Sequence, residues 1–281
     1  MAFFEARGAL SVTLVDAADQ PLFEPEPGTT PLWSSTRITA LFEADVDLAP
    51  LRAALAEQFG GAATGQLEVS TLEDQDWERA WLARFQPMRF GDNLWICPAG
   101  QRPPAAPGQV LIDLDPGLAF GTGTHPTTAL CLAWLDRHPP RGLDVLDYGC
   151  GSGVLAIAAL RLGAARVQGV DIDPQALLAS ADNAARNCVD GRLSTALPDA
   201  LPAQTFDLLL ANILANPLIE LAPRLAALVR PGGSLVLSGI LAEQAGSVQQ
   251  AYAPWFDFGA PAEQEGWVRL QAVRRSAVDK R

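Results

Sequence analysis

From Asp144 onward, short apolar runs alternate with amphipathic stretches along the chain. The runs at Val145–Asp147, Val167–Asp171, Phe206–Ala211 and Ser234–Ser238 have strand length. Between and after them, Ser152–Leu162, Pro174–Asn187, Leu214–Val229 and roughly Leu241–Tyr252 carry apolar residues at helical spacing. Strands separated by helices predict an α/β fold with a mostly parallel sheet covered on both faces. The end of the chain breaks this rhythm. Trp255–Phe258 and Trp267–Val273, joined by residues 259–266, predict an antiparallel hairpin on the sheet edge.

The first part of the chain reads differently. Ala9–Val15 and Arg37–Phe42 predict strands, flanking a proline-rich loop at 20–31. Leu48–Phe59 is an amphipathic helix pattern, and Gln66–Leu72 predicts a strand that closes the unit. Residues 1–72 thus form a small α+β domain. Residues 73–86 begin acidic and continue through Trp77, Ala80 and Trp81, which predicts a linker helix. The remainder, 87–281, is the α/β domain, entered through strands at Phe90–Cys97 and Gln109–Asp113.

The first predicted parallel strand ends in Asp147-Tyr-Gly-Cys-Gly-Ser-Gly153, after which a helical pattern begins at Val154. Glycines at 149, 151 and 153 permit positive φ and a close approach of backbone to ligand. The second strand ends in Asp171, where a carboxylate is placed to accept both hydroxyls of a ribose. Glycine turn and distal acid together predict a nucleoside-cofactor site. A dinucleotide turn requires a small residue at position 154, where this chain has valine. The acid before the turn repels a pyrophosphate and suits a cationic ligand with a free amino group. S-adenosylmethionine meets these requirements, with its ribose at Asp171 and its ammonium near Asp147. A third strand tip carries Asn212, either as an amide directed at an amine and the cofactor or as the cap of the next helix.

Composition narrows the class further. At 281 residues, 49% of them hydrophobic, the chain is long enough for two globular domains. No apolar stretch reaches membrane-span length and the first residues lack a signal-peptide pattern, so a cytoplasmic location is expected. The four cysteines form no Cys-x-x-Cys pair, and neither a metal site nor a disulfide framework is expected. Residues 1–80 hold 14 acids against 4 arginines, whereas 81–281 hold 18 acids against 16 bases. Nearly all of the net charge of −12 therefore belongs to the first part, which favours a basic partner over nucleic acid. The single lysine, Lys280, argues against a phosphate-gripping loop.

Upstream of the glycine turn, Phe120-Gly-Thr-Gly-Thr-His-Pro-Thr-Thr128 is a small-residue loop entering a helix, with Pro126 suited to its first turn and Thr124 or His125 to its cap. This segment, together with Asp147–Gly153, Val170-Asp-Ile-Asp-Pro-Gln-Ala176 and Ala211-Asn-Ile-Leu-Ala-Asn-Pro-Leu218, resembles the bacterial PrmA family. Phe23-Glu-Pro, Trp77-Glu-Arg, Pro87-Met-Arg-Phe-Gly and Leu94-Trp-Ile-Cys-Pro extend the resemblance over nearly the whole chain. It implies a class I, Rossmann-like methyltransferase domain behind a ferredoxin-like docking domain. It further implies S-adenosylmethionine as cofactor, contacted by Thr128, Gly149, Asp171 and Asn212, with Asn212 also catalytic. The implied substrate is the basic large-subunit ribosomal protein eleven, methylated on its α-amino group and lysine side chains by a monomeric enzyme that needs neither nucleic acid nor a membrane. The family opens with a strand and helix before the Phe3–Ala9 segment, and this chain begins inside that helix; the resemblance thus implies an upstream start or a docking domain without its edge strand. A related protein-lysine methyltransferase with another target is the alternative within enzymes. A nicotinamide oxidoreductase is opposed by Val154, and a binding module without cofactor by the intact Asp171 and glycines.

Overall fold

The computed structural model describes residues 1–18, 32–61, 65, 67–72, 86–98, 101–114, 125–201 and 203–276. The proline-rich loop, the linker helix over 73–85 and most of the loop before Pro126 lie outside these residues. The chain divides into two compact units, Met1–Asp76 and Trp77–Arg281.

In the first unit, α1 (Ala2–Glu5) precedes β1 (Ser11–Asp16), β2 (Thr36–Leu41) and α2 (Leu48–Phe59). The two strands pair antiparallel, from Ser11 opposite Leu41 to Asp16 opposite Thr36. Asp47 caps α2 by accepting the Ala49 N–H, as a short acid outside a helix start does. Phe3 packs edge-on against Phe59 at 5.2 Å, and Phe3 and Leu55 are buried. The strand expected at 66–72 is not formed over residues 67–72, which are irregular. Leu67, Glu68, Val69 and Ser70 do alternate, but neither β1 nor β2 pairs with the segment, and alternation without a partner strand does not make a strand.

The second unit begins with a three-stranded sheet of β3 (Met88–Phe90), β4 (Leu94–Pro98) and β5 (Val110–Leu114). The single strand expected over 90–97 is split by a tight turn at 91–93, with Phe90 ending β3 and Leu94–Cys97 lying in β4. Gly91 makes that turn at φ +66°, and a Cβ there would lie 2.3 Å from Asp136 Oδ2. Glycine is needed because the Asp136 carboxylate comes in to accept the Asp92 N–H at 2.6 Å.

The main sheet contains β6 (Asp144–Tyr148), β7 (Arg166–Val170), β8 (Leu193–Ala196), β9 (Phe206–Asn212), β10 (Val229–Leu241), β11 (Phe256–Phe258), β12 (Ala262–Gln264) and β13 (Trp267–Arg274). Its order is β11-β13-β10-β9-β6-β7-β8, with β12 beside β13. The strands from β8 to β10 run parallel, while β13 is antiparallel to β10 and to β11, as the edge hairpin required. Helices α3 (Pro126–Arg137), α4 (Val154–Arg161) and α5 (Pro174–Arg186) belong to one face, and α6 (Ala215–Glu220), α7 (Ala222–Leu228) and α8 (Ala245–Tyr252) to the other. Successive strand residues feed opposite cores. Val145 packs with α4 while Leu146 packs with the cluster of α6 to α8, as a pleated strand dictates.

Two details depart from expectation. β8 was not legible, because Leu193-Ser-Thr-Ala196 is short and mostly polar for an inner strand; it is the sheet edge. The helix expected over 214–229 is two helices. Pro223 has no N–H to continue the ladder across Leu221, and Val229 already belongs to β10.

Candidate functional site

The chain goes from β6 to β7 and β8 in one direction and to β9 and β10 in the other. The carboxyl ends of β6 and β9 therefore border the crevice where open α/β sheets take ligands. All four sequence-predicted site residues are brought to this end: Gly149 after β6, Asp171 after β7, Asn212 at the end of β9 and Thr128 beside Asn212.

The glycine turn leaves β6 with Gly149, Gly151 and Gly153 at φ +80°, +53° and +78°. A Cβ on Gly149 would lie 2.3 Å from Ile213 Cγ2, so glycine is what lets the tips of β6 and β9 close on each other. The turn is tied to β7 by Gly149 and Cys150 N–H groups donating to the Val170 carbonyl at 2.7 and 3.0 Å. Asp171 completes the tie. Its Oδ2 accepts the Gly151 N–H at 2.9 Å and its Oδ1 the Asp173 N–H at 3.0 Å. The carboxylate is thereby fixed at the strand tip, half-buried, with one lone pair on each oxygen still to be used.

Asp147 is deeper than its sequence position suggested. It is 1% exposed, and its Oδ2 accepts the Ala156 N–H at 3.0 Å, holding the start of α4 against the turn. Its Oδ1 is buried without a hydrogen-bond partner. Burial raises its pKa to about 7, against the pull of the Ala156 bond and with a further push from Asp171. The acid expected near a ligand ammonium is thus a buried helix anchor carrying one unsatisfied oxygen. The raised value has a definite sign for stability. An unfolded aspartate loses its proton near pH 4, and the folded one holds it until about pH 7. The folded form binds the extra proton in that window, so stability falls as pH rises from about 4 to about 7 and is level above it. Asp147→Asn keeps an acceptor for Ala156 and removes the charge. Its melting temperature relative to the parent should be higher at pH 8 than at pH 4, by an amount corresponding to at most about 4 kcal/mol. Melting curves that stay parallel across this range would show that Asp147 is not the group titrating.

Asn212 does not cap α6, whose N-cap is Leu214 without a side-chain bond. Its Nδ2 donates instead to Thr128 Oγ1 at 3.2 Å, joining residues 84 apart in sequence. Thr128, in the first turn of α3, is fully buried. The same helix end is fastened to β10 by Ser238, whose hydroxyl donates to the Thr127 carbonyl at 3.1 Å. Ser238 lies opposite Asn212 in the parallel register of β9 and β10. Sequence reading missed this fastening. A buried serine in the otherwise apolar Leu235–Leu241 run was the signal available.

His125 is the cap of α3, with Nδ1 against the Thr127 N–H and hydroxyl and its ring 4.8 Å from that of Trp267. Burial lowers its pKa. Cys150, inside the turn, is buried and its thiol is pushed up to about 12, which leaves no thiolate for nucleophilic work. Among the described residues no group of histidines, cysteines and acids is placed to hold a metal ion.

The donor set fits a nucleoside cation rather than a pyrophosphate. The three strand tips, 147–153, 171–175 and 212–214, contain no lysine or arginine. They offer a half-buried carboxylate, an amide and a buried, unpaired carboxylate oxygen. S-adenosylmethionine, with ribose hydroxyls, an ammonium and a sulfonium, matches these groups in sign and in donor character.

Known proteins match this chain along nearly its whole length. The family model described as ribosomal protein L11 methyltransferase (PrmA) matches residues 1–275. A ribosomal protein L11 methyltransferase of Azotobacter vinelandii is 60% identical over 269 residues, covering 95% of this chain and 91% of its own. That of Methylococcus capsulatus is 57% identical over 270 residues, covering 96% and 92%. The crystal structure of a ribosomal protein L11 methylase from Lactobacillus delbrueckii subsp. bulgaricus superposes with a TM-score of 0.61 at 35% identity, covering 68% of this chain and all of that one. Its sequence, its strand order and its glycine turn place one conclusion beyond the level of fold: this chain belongs to the ribosomal protein L11 methyltransferase (PrmA) family.

Proposed function

We propose that this methyltransferase acts on ribosomal protein L11, moving methyl groups from S-adenosylmethionine to lysine side chains and to the α-amino group. The observation that carries the reading is the convergence of Gly149, Asp171 and Asn212 on the sheet's switch point in a chain of this family. The cofactor supplies an activated methyl group on a sulfonium. Asp171 receives the ribose hydroxyls. The turn at Gly149 lets backbone lie against the ligand, and Asn212, with Thr128 behind it, faces the reacting end.

The accepting amine must arrive without its proton, since a lysine ammonium, with a pKa of about 10.4, has no lone pair to attack with. The described residues around the turn offer no free base: His125 is engaged as a cap, and Asp147 is buried behind the turn. Orientation and exclusion of water carry the step. Asn212 Oδ1 is free to accept an N–H of the amine, because Nδ2 is held by Thr128. That bond directs the lone pair and strengthens as the nitrogen becomes positive.

The acidic first unit serves as the docking module for the basic substrate, and its net charge of −10 over residues 1–80 supports this role. Both parts of the proposal are tested by incubating the enzyme with S-adenosylmethionine and purified L11 and following the protein's mass. Successive 14 Da increments on lysine-containing and N-terminal peptides are expected. The apparent KM for L11 should rise with salt as the Debye length shortens from about 10 Å at 0.1 M to about 3 Å at 1 M. An unmodified L11 would refute the substrate, and a KM indifferent to salt would refute electrostatic docking.

A further inference from the structure

Leu214 breaks two local rules at once. It is the N-cap of α6, a position that favours Ser, Thr, Asp or Asn, and its side chain makes no cap there. It is also 50% exposed, so it adds little to the core. A large apolar side chain that serves neither its helix nor the core stands two residues after Asn212. Local costs of this kind collect at functional sites.

Its direction follows from the strand before it, whose side chains alternate between the two faces of the sheet. Leu208 and Leu210 pack with α3 to α5, whereas Leu209 and Ala211 pack with α6 to α8. Asn212 continues the first set, since its amide reaches Thr128 in α3. Ile213 continues the second, packed against the cluster of α6 to α8. Ile213 is also held from two sides. A Cβ on Gly149 would meet its Cγ2 at 2.3 Å, and one on Gly239 would meet its carbonyl oxygen at 2.3 Å. By the same alternation Leu214, extended at φ −60° and ψ 154°, returns to the side of Asn212. Its carbonyl accepts the Leu218 N–H at 3.2 Å, which fixes its backbone at the start of α6. The amide that meets the amine thus has an exposed apolar neighbour on a fixed backbone.

The two kinds of amine in the proposed substrate differ in what carries the nitrogen. A lysine amine ends a stem of four methylenes. An α-amine sits directly on a backbone carbon, beside a polar carbonyl. We propose that Leu214 is a specificity-determining residue that packs against the alkyl stem of an entering lysine and so favours lysine side chains over the α-amino group. The inference rests on the reading of the site as an amine methyltransferase.

Leu214→Ser removes the apolar surface and gives α6 a favoured cap, so the helix start is kept. Leu214→Met keeps an apolar side chain of similar size. Each is incubated with S-adenosylmethionine and full-length L11 below its KM, and initial rates at lysine and N-terminal peptides are followed by mass in the same sample. The ratio of kcat/KM at lysine to that at the α-amine should fall about tenfold in Leu214→Ser. Tenfold corresponds to about 1.4 kcal/mol, as covering roughly 55 Å² of apolar surface would give. Leu214→Met should hold the ratio within about twofold of the parent. A ratio unchanged in Leu214→Ser, with or without a common loss of rate, would overturn the proposal, as would a Met variant shifted as far as the Ser variant. A second readout needs neither turnover nor L11. With S-adenosylhomocysteine bound, Nα-acetyl-lysine methylamide should shift the 13C methyl signals of Leu214, assigned by their disappearance in Leu214→Ser. Glycinamide, an α-amine without a stem, should leave them in place. If the parent leaves L11 unmethylated, the substrate reading fails, and these signals alone decide: methyl groups indifferent to the lysine probe overturn the stem contact.

Discussion

Asp171→Ala should weaken S-adenosylmethionine binding about a hundredfold. Two ribose hydroxyls on one carboxylate are charge-assisted hydrogen bonds, each contributing at least about 1.5 kcal/mol, and together they correspond to about two orders of magnitude in Kd. A second loss adds to the first. Asp171 also receives the Gly151 and Asp173 N–H groups, so without it the glycine turn is untied from β7 and two backbone donors lose their acceptor. Asp171→Asn separates the two effects. Its amide oxygen keeps an acceptor for the turn but lacks the charge and one of the acceptor sites, so its affinity should fall between parent and alanine. Calorimetric titration measures all three proteins. Parental affinity in Asp171→Ala would remove the ribose from this strand tip.

The second large effect is expected on turnover. Asn212→Ala should lower kcat about a hundredfold at saturating cofactor and L11, in the range seen when one preorganised polar contact to developing charge is deleted. The amide is held before substrate arrives, by Thr128 on one side and by the β9–β10 register on the other. Its oxygen gains most when the attacking nitrogen becomes positive, so the loss belongs in kcat rather than in binding alone. Cofactor affinity should fall much less than in Asp171→Ala. A variant with parental kcat and a raised cofactor Kd would reduce Asn212 to a binding contact.

The sequence was most informative where chemistry is local. Gly149, Gly151 and Gly153 declare a turn because few other residues adopt positive φ, and the structure has all three there. Asp171 was placed by strand length and spacing alone. Alternation of strand and helix gave the parallel sheet, because crossover connections leave few other topologies. The edge hairpin followed from two apolar runs too close together for a helix between them. These are statements about neighbours along the chain, and periodicity carries them.

Other features depended on partners far away in sequence. β8 is a polar four-residue segment whose strand character comes from pairing with β7 rather than from its own residues. Asp147 is marked as an acid before a turn, but its burial and its raised pKa come from α4 closing over it and are not written in the motif. Asn212 had two readings in sequence, helix cap or site amide. The cap reading falls because Leu214 is the cap of α6, and the amide's NH2 goes instead to Thr128, 84 residues upstream. By itself the sequence determined the parallel sheet, the glycine turn, the place of Asp171 at a strand tip and the family. Tertiary structure alone decided which polar groups are buried, which are already engaged and which atom of a bifunctional side chain is left for the ligand, since those depend on contacts that only folding brings together.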